Sequence, residues 1–162
     1  MIWSFFESLM NSYGLFGIFL ISLIGSSTII FPLPSAAIIF IAGSFMNPFL
    51  VGILGGLGAT LGEFVGYFLG FGGRKAIEKK WKKEIKKVEK LFEKYGGFFI
   101  TILFAATPLP DDIVGLFCGM IKYDLKKFFI AVLIGKLIMS FLLAYGGFYS
   151  IKWILDIFSS GS

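Results

Sequence analysis

The sequence predicts an all-α integral membrane protein built from two inverted repeats, and three observations lead to that prediction. Hydrophobic residues make up 57% of the chain and charged residues 15%, whereas soluble domains carry about 25% charged residues. Paired prolines interrupt the apolar segments, and one strongly basic segment separates them. A Pro-Leu-Pro triplet at residues 32–34 precedes Gly43, and a second at 108–110 precedes Gly119 with the same spacing, 76 residues later. Each predicted repeat is a proline-broken re-entrant hairpin followed by a transmembrane helix.

Two elements precede the first predicted transmembrane helix. Residues 1–12 are short and amphipathic, and we predict that they form an interfacial helix. Residues 13–46 are apolar but contain Pro32 and Pro34, which lack an N–H donor and break helices. The limb after these prolines would be about 18 Å long as a helix, too short for a hydrocarbon core of roughly 30 Å. We therefore predict a re-entrant hairpin, the alternative being a full span over residues 13–31 with the amino terminus inside.

Residues 48–71 are predicted to form the first transmembrane helix, ended by the glycine pair at 72–73. Within it, glycines recur at every fourth position and form a stripe on one face. Such a stripe lets another backbone approach closely, so we predict a helix-packing role and, as a further expectation, homo-oligomer formation. The stripe consists of Gly58, Gly62, Gly66 and Gly70.

Residues 74–95 differ sharply from the segments on either side. They contain ten of the fifteen basic residues and four glutamates. Their apolar residues recur at steps of three and four, which predicts an amphipathic helix with one apolar stripe. The basic cluster indicates a cytoplasmic location, with the helix packed on the bundle or lying on anionic lipid. No nucleic-acid-binding motif accompanies the charge, and we expect no nucleic-acid partner.

The second half repeats the plan of the first. Residues 96–121 are predicted to form a second re-entrant hairpin that turns at Pro108 and Pro110. Residues 125–147 form the second predicted transmembrane helix, ended by a second glycine pair, and residues 148–162 form a carboxyl-terminal tail. Each half then crosses the bilayer once, so the two halves have opposite orientations, as in many transporters.

Four ionisable residues lie in otherwise apolar stretches: Glu63, Asp111, Asp112 and Lys136. Facing lipid, each would cost roughly 2.5–3.5 kcal/mol on insertion scales, so we expect them to face one another, a wet cavity or backbone donors. Glu63 and Lys136 fall at similar depths, and one hypothesis is that they form an ion pair. The functional alternative is a polar cavity in which Lys136 meets an anionic ligand and the carboxylates exchange protons. Asp111 and Asp112 are also placed to cap the second limb of the second hairpin.

The residue inventory excludes several classes of site. The chain has no histidine and only one cysteine, which excludes a histidine-based triad and a zinc site built from histidine or several thiolates. No nucleophile–base pair is visible in the sequence. We therefore expect neither an enzyme, nor a metal centre, nor a cofactor.

A resemblance to a known family rests on the glycine-rich helix. Residues 58–70, GATLGEFVGYFLG, resemble the G-A-x-x-G-D/E-x-x-G-Y-x-x-G signature of the DedA family, also called SNARE-associated Golgi or VTT-domain proteins. The proline segments before Gly43 and Gly119 resemble the two hairpins of that family. Two positions depart from it: residues 26–28 carry no acidic side chain, and Ala105 and Asp111 stand where arginines are common.

The resemblance implies movement of lipid between the leaflets of the plasma membrane. It implies phospholipid or polyprenyl-phosphate substrates, in some relatives with proton coupling, and the family's acidic position falls on Glu63. We expect membrane lipids with anionic headgroups as partners, and protons or cations as coupling ions. Two alternatives remain open: a proton- or cation-coupled transporter of a small solute, and a non-transporting membrane-organising protein.

Overall fold

The computed structural model describes residues 14–27, 35–107 and 112–160, with backbone alone at 75–81, 84, 85, 88, 112, 113 and 154–160. These residues form helices and no strands, which confirms the prediction of an all-α protein. The prolines at which both hairpins were predicted to turn, the interfacial segment 1–12 and Asp111 lie outside the described residues. The helices are α1 (Leu15–Ser27), α2 (Ser35–Phe45), α3 (Pro48–Tyr95), α4 (Gly97–Ala105), α5 (Asp112–Met120) and α6 (Leu125–Ser160).

The two long helices run past the glycine pairs that were predicted to end them. Helix α3 begins where the Asn47 side chain accepts hydrogen bonds from the N–H groups of Phe49 and Leu50, and it continues through residues 72–73 to Tyr95. Helix α6 likewise continues through residues 146–147 into the predicted tail. The predicted helix ends at residues 72–73 and 146–147 are wrong. Glycine inside a helix costs only about 1 kcal/mol relative to alanine, and the helical residues on either side offset this cost.

Two stretches of the described residues are long and apolar enough to cross a membrane. They are Pro48–Arg74 in α3 and Leu125–Trp153 in α6. The two stretches pack against each other in opposite directions. Gly52 lies against Phe141, and twelve positions further along α3 the ring of Phe64 lies 5.7 Å from that of Phe129. This antiparallel pair forms the centre of the described structure.

The first two helices also run in opposite directions. Helix α1 follows α3, because Gly58 lies against the backbone of Phe19, and Gly62 lies against that of Leu23. Helix α2 instead runs in the same direction as α6: Ile39 and Ser140 both lie against Gly55, and further along the two helices Gly43 lies against Ala144. Because α3 and α6 are antiparallel, α1 and α2 are antiparallel too, as the two limbs of a hairpin would be.

Helices α4 and α5 mirror this arrangement. Helix α5 follows α3, with Gly115 against Glu63 and Gly119 against the backbone of Tyr67. Helix α4 packs on α6, where Ala105 contacts Gly135. In each half the first short helix therefore packs on its own long helix, and the second short helix packs on the long helix of the other half.

Helix α3 is bent between its membrane segment and its basic end. The Tyr67 hydroxyl donates to the carbonyl oxygen of Tyr123 over 2.5 Å, and the Phe92 ring lies 5.6 Å from the Tyr123 ring. A straight helix would place Tyr67 and Phe92 about 37 Å apart, too far for both to reach one residue. The helix therefore curves back between these two residues.

Candidate functional site

A buried ion pair joins the two membrane-crossing helices. The Nζ atom of Lys136 on α6 lies 2.9 Å from Oε1 of Glu63 on α3, and the two side chains are 8% and 3% exposed. Within the Pro48–Arg74 stretch, Glu63 lies roughly 16 Å from the Arg74 end. We refer to Glu63 and Lys136 as the charged pair. The ion pair, one of the two hypotheses raised from the sequence, is thus present. Breaking such a buried pair typically costs 3–5 kcal/mol, because the remaining charge is left uncompensated.

The second oxygen of Glu63 faces a third helix. A Cβ atom added to Gly115 of α5 would lie 3.0 Å from Oε2 and 3.2 Å from the backbone oxygen of Glu63. This distance is tighter than ordinary van der Waals contact, so Gly115 brings the α5 backbone close to the carboxylate. Three helices, α3, α5 and α6, therefore meet at the charged pair.

The ends of two short helices reach the same level. Ser26, next to the last residue of α1, lies against Gly62, which precedes Glu63. Asp112 is the first residue of α5, one turn before Gly115. The described part of α1 therefore ends, and that of α5 begins, near the level of the charged pair.

Several buried hydroxyl groups lie in the helices around the charged pair. Thr60 donates to the carbonyl oxygen of Gly56 over 2.7 Å, and Thr101 donates to that of Gly97 over 2.7 Å. The fully buried Ser22 hydroxyl has no hydrogen-bond partner among the described residues. A buried hydroxyl without a partner costs free energy, so this position suits a water molecule or a polar ligand group. Among the described residues, the buried polar side chains are Ser22, Ser26, Thr60, Glu63, Thr101, Lys136 and Ser140.

The sequence analysis did not single out these hydroxyl groups. The signal that could have found them is an isolated serine or threonine in an otherwise apolar helix. That signal is weak, because such a hydroxyl often bonds back to the carbonyl four residues earlier, as Thr60 and Thr101 do.

The other predicted site residues are only partly described. Asp112 begins α5, but its side chain lies outside the description, as do Asp111 and the hairpin prolines. The structure therefore leaves their capping role and their distance to the charged pair as predictions. In the glycine stripe, Gly58 and Gly62 contact α1 and Gly70 contacts the backbone of α5. These three stripe positions are used for packing inside the chain, and Gly66 is buried as well.

A second polar region lies where α3 bends back. An open cleft of about 460 Å³ separates the end of α3 from the connection between α5 and α6. We call it the surface cleft. It is lined by Glu89, Phe92, Glu93, Ile121, Lys122, Tyr123, Asp124 and Lys127.

The chemistry available at the charged pair is electrostatic. Within the described ranges, no three histidine, cysteine, aspartate or glutamate residues cluster closely enough to hold a metal ion. The pair offers one cation, one proton-accepting carboxylate and nearby hydroxyl groups, all in an apolar bundle. Such a set can bind a charged group or carry a proton.

Comparison with protein families identifies the bundle. The family model described as "VTT domain" matches residues 31–149, most of the chain, including both members of the charged pair. The chain belongs to the VTT-domain family. This is the domain of the DedA and SNARE-associated Golgi proteins, which confirms the resemblance seen in the signature at 58–70. No curated protein and no solved structure matches the chain significantly.

Membership of the VTT-domain family agrees with the hydrophobic architecture. The family is membrane-associated, and this chain contains two stretches that can cross a membrane. The matched region begins just before α2 and ends in α6, so it covers the whole contact between α3, α5 and α6. This VTT-domain protein is therefore a helical membrane protein of DedA type.

Proposed function

We propose that this VTT-domain protein is a transporter that moves lipid headgroups between bilayer leaflets, rather than an enzyme. The observation that carries the proposal is the buried charged pair at the meeting point of α3, α5 and α6. A headgroup can cross hydrocarbon only if polar groups replace part of its hydration, because unpaired polar groups are costly there. The pair and the surrounding hydroxyl groups offer such partners at mid-membrane.

The proposed topology is a pair of opposed re-entrant hairpins. Its support is that α1 and α2 are antiparallel, that α1 ends near the level of Glu63, and that α5 begins one turn from it. The described part of α1 has 13 residues and that of α5 has nine, whereas a span needs about 20. We infer that hairpin 1 enters from outside and hairpin 2 from the cytoplasm of the plasma membrane, with the basic end of α3 cytoplasmic.

In the proposed mechanism the charged pair opens when a headgroup arrives. The Lys136 ammonium then binds the phosphate of the lipid, since a phosphate accepts charge-assisted hydrogen bonds. Glu63 loses its cationic partner in that state, and protonation of its carboxyl would remove the unpaired charge. This step gives a route to proton coupling, while the acyl chains remain in the lipid beside the bundle.

The experiment is lipid scrambling in proteoliposomes. Purified protein would be reconstituted with a fluorescent phospholipid, and the outer-leaflet dye would be quenched by an impermeant reductant. We expect quenching well past the outer-leaflet fraction for wild type. The double variant Glu63→Gln with Lys136→Met should lose this activity, because it removes both charges together and leaves no buried charge unpaired.

A surface control removes two charges outside the bundle, at exposed lysines, as Lys83→Gln with Lys87→Gln. It should scramble as wild type does. If the double variant at the charged pair remains folded and scrambles at the wild-type rate, the pair is structural only and the proposed mechanism is wrong. If wild type quenches only to the protein-free level and instead moves a small solute along a proton gradient, the solute-transporter alternative replaces the lipid proposal.

A further inference from the structure

The surface cleft has walls of opposite charge. Glu89 and Glu93 lie on the α3 wall, and Lys122 and Lys127 lie on the wall formed by the α5–α6 connection and the start of α6. The volume of about 460 Å³ is within the usual range of small-ligand sites, about 300–1,000 Å³. The cleft does not include the charged pair, and Lys127 of the cleft lies nine positions, roughly 13 Å along α6, before Lys136.

The two glutamates are four positions apart on one helix, which places them on the same face. Like charges in that arrangement repel each other. Within the described part of the chain, neither glutamate forms an ion pair with a lysine or arginine. The α3 wall therefore presents two carboxylates that a cation in the cleft would stabilise.

The opposite wall is held in place by backbone and ring contacts. Lys122 has a positive φ of 55°, and its Nζ lies 5.6 Å from the centre of the Phe71 ring. Asp124, the third carboxylate of the cleft, is already engaged: its Oδ1 accepts a hydrogen bond from the N–H of Lys127 over 2.8 Å and caps α6. Two lysines, Lys122 and Lys127, therefore line this wall, and their long side chains are within reach of an anion in the cleft.

The position of the cleft favours a lipid over a soluble ligand. Lys127 lies in the first turn of the Leu125–Trp153 stretch, and Phe71 lies close to the end of Pro48–Arg74. The cleft therefore lies at the level where both membrane-crossing stretches end, which is the headgroup level of a bilayer. Phe92 and Ile121 add apolar surface to its lining, and apolar surface suits the upper part of an acyl-glycerol.

We propose that the surface cleft binds the headgroup of a phospholipid that carries both a phosphate and a primary ammonium. The ammonium is bound by Glu89 and Glu93, and the phosphate by Lys122 and Lys127. A primary ammonium has N–H donors for carboxylates, whereas a trimethylated one has none. The inference rests on the proposed function for lipid as the substrate class, and it adds the headgroup and a docking site on one leaflet.

The test measures which lipids the protein retains. Delipidated protein would be mixed with equal amounts of ethanolamine, choline and glycerol phospholipids that share the same acyl chains. Bound lipid would then be counted by native mass spectrometry. We expect the ethanolamine lipid to be retained about tenfold over the other two, the discrimination that one or two charge-assisted hydrogen bonds give.

The variants separate the two walls. Glu89→Gln with Glu93→Gln should abolish the preference for the ethanolamine lipid, while Glu89→Asp with Glu93→Asp should largely keep it. Lys122→Gln with Lys127→Gln should lower the retention of all three lipids. The matched lysine control, Lys83→Gln with Lys87→Gln, removes the same charge from exposed positions outside the cleft and should leave retention unchanged.

Wild type alone decides the proposal if a variant does not fold. Equal retention of the three lipids would overturn it, and so would equally strong binding of soluble glycerophosphoethanolamine, which would make the ligand a water-soluble ester. The outcome is separable from that of the scrambling assay. Headgroup preference without scrambling supports the cleft and rejects transport, and scrambling without headgroup preference rejects the cleft and leaves transport intact.

Discussion

The two halves of this VTT-domain protein share an architecture but not a charge pattern. In both, a short helix packs on the long helix of its own half, and a second short helix packs on the long helix of the other half. The charged pair does not follow this duplication. The residue 76 positions before Lys136 is Thr60, and the residue 76 positions after Glu63 is Met139.

This difference separates what the repeat specifies from what the site requires. Thr60 bonds back to its own helix over 2.7 Å, whereas Lys136 reaches across to α3. A pair with one charge from each half neutralises itself, whereas a duplicated charge would place two like charges in the bundle. The helices of the two halves therefore pack in the same way, while the two halves contribute different residues to the charged pair.

The largest expected effect comes from breaking the charged pair. Lys136→Met alone, or Glu63→Gln alone, should destabilise the protein, by up to about 3–5 kcal/mol where a charge remains buried without a partner. The double variant should recover most of that loss, because no uncompensated charge remains. Thermal and SDS unfolding in mixed micelles would measure the series. Additive losses in the double variant would contradict the pairing.

The next effect compares the crossed contacts of the two halves. A Cβ at Gly119 would collide with the backbone oxygen of Tyr67, and one at Gly43 would collide with that of Ala144. Gly119→Val and Gly43→Val should each lower stability by about 1–3 kcal/mol or more, the usual effect of overpacking. The two losses should be similar if the halves are equivalent in packing.

The control for the glycine series is Gly72→Ala, because a Cβ at Gly72 meets no atom within 4 Å. Alanine favours a helix interior over glycine by about 1 kcal/mol, so this change should be neutral or stabilising in the same unfolding assay. Equal destabilisation by Gly72→Ala and Gly119→Val would show that helix flexibility, not close packing, explains the glycines.

The smallest expected effect concerns the caps of the two long helices. The Asn47 side chain caps α3, and the Asp124 side chain caps α6 over 2.8 Å. Asn47→Ala and Asp124→Ala should each cost about 1 kcal/mol, as measured by unfolding midpoints. Asn47→Asp and Asp124→Asn keep an acceptor oxygen and should restore most of the loss. A much larger loss at one cap would mean that the halves differ in how their long helices start.

The sequence predicted the helical class and the two membrane-crossing stretches, and it offered the charged pair as one of two hypotheses. The pair was predictable because Glu63 and Lys136 fall at similar depths in two apolar helices, and unpaired charges are costly there. Family membership followed from the glycine spacing at residues 58–70. In each case a few residues carry the prediction, either through the cost of an unpaired charge in an apolar helix or through a characteristic glycine spacing.

The crossed packing of α2 on α6 and of α5 on α3 was not predictable in the same way. Glycine spacing indicates that another helix packs closely at a given face. It does not indicate which helix that is, and the crossed packing depends on this choice. The ends of the long helices were predicted wrongly for a related reason. Gly72 and Gly73 have low helix propensity, but propensity is a weak term that tertiary packing overrides.

Because α3 is continuous from Pro48 to Tyr95, the two halves are connected by a helix, and the number of residues in it determines which way the residues at its end face. A flexible loop accepts an extra residue by bulging, whereas one residue added to a helix rotates everything after it by about 100°. An insertion before Glu89 would turn both cleft glutamates away from Lys122 and Lys127. Seven added residues would nearly restore the phase but lengthen the helix by about 10 Å. The number of residues in this connection therefore determines both the direction in which the cleft glutamates face and their distance from the lysines.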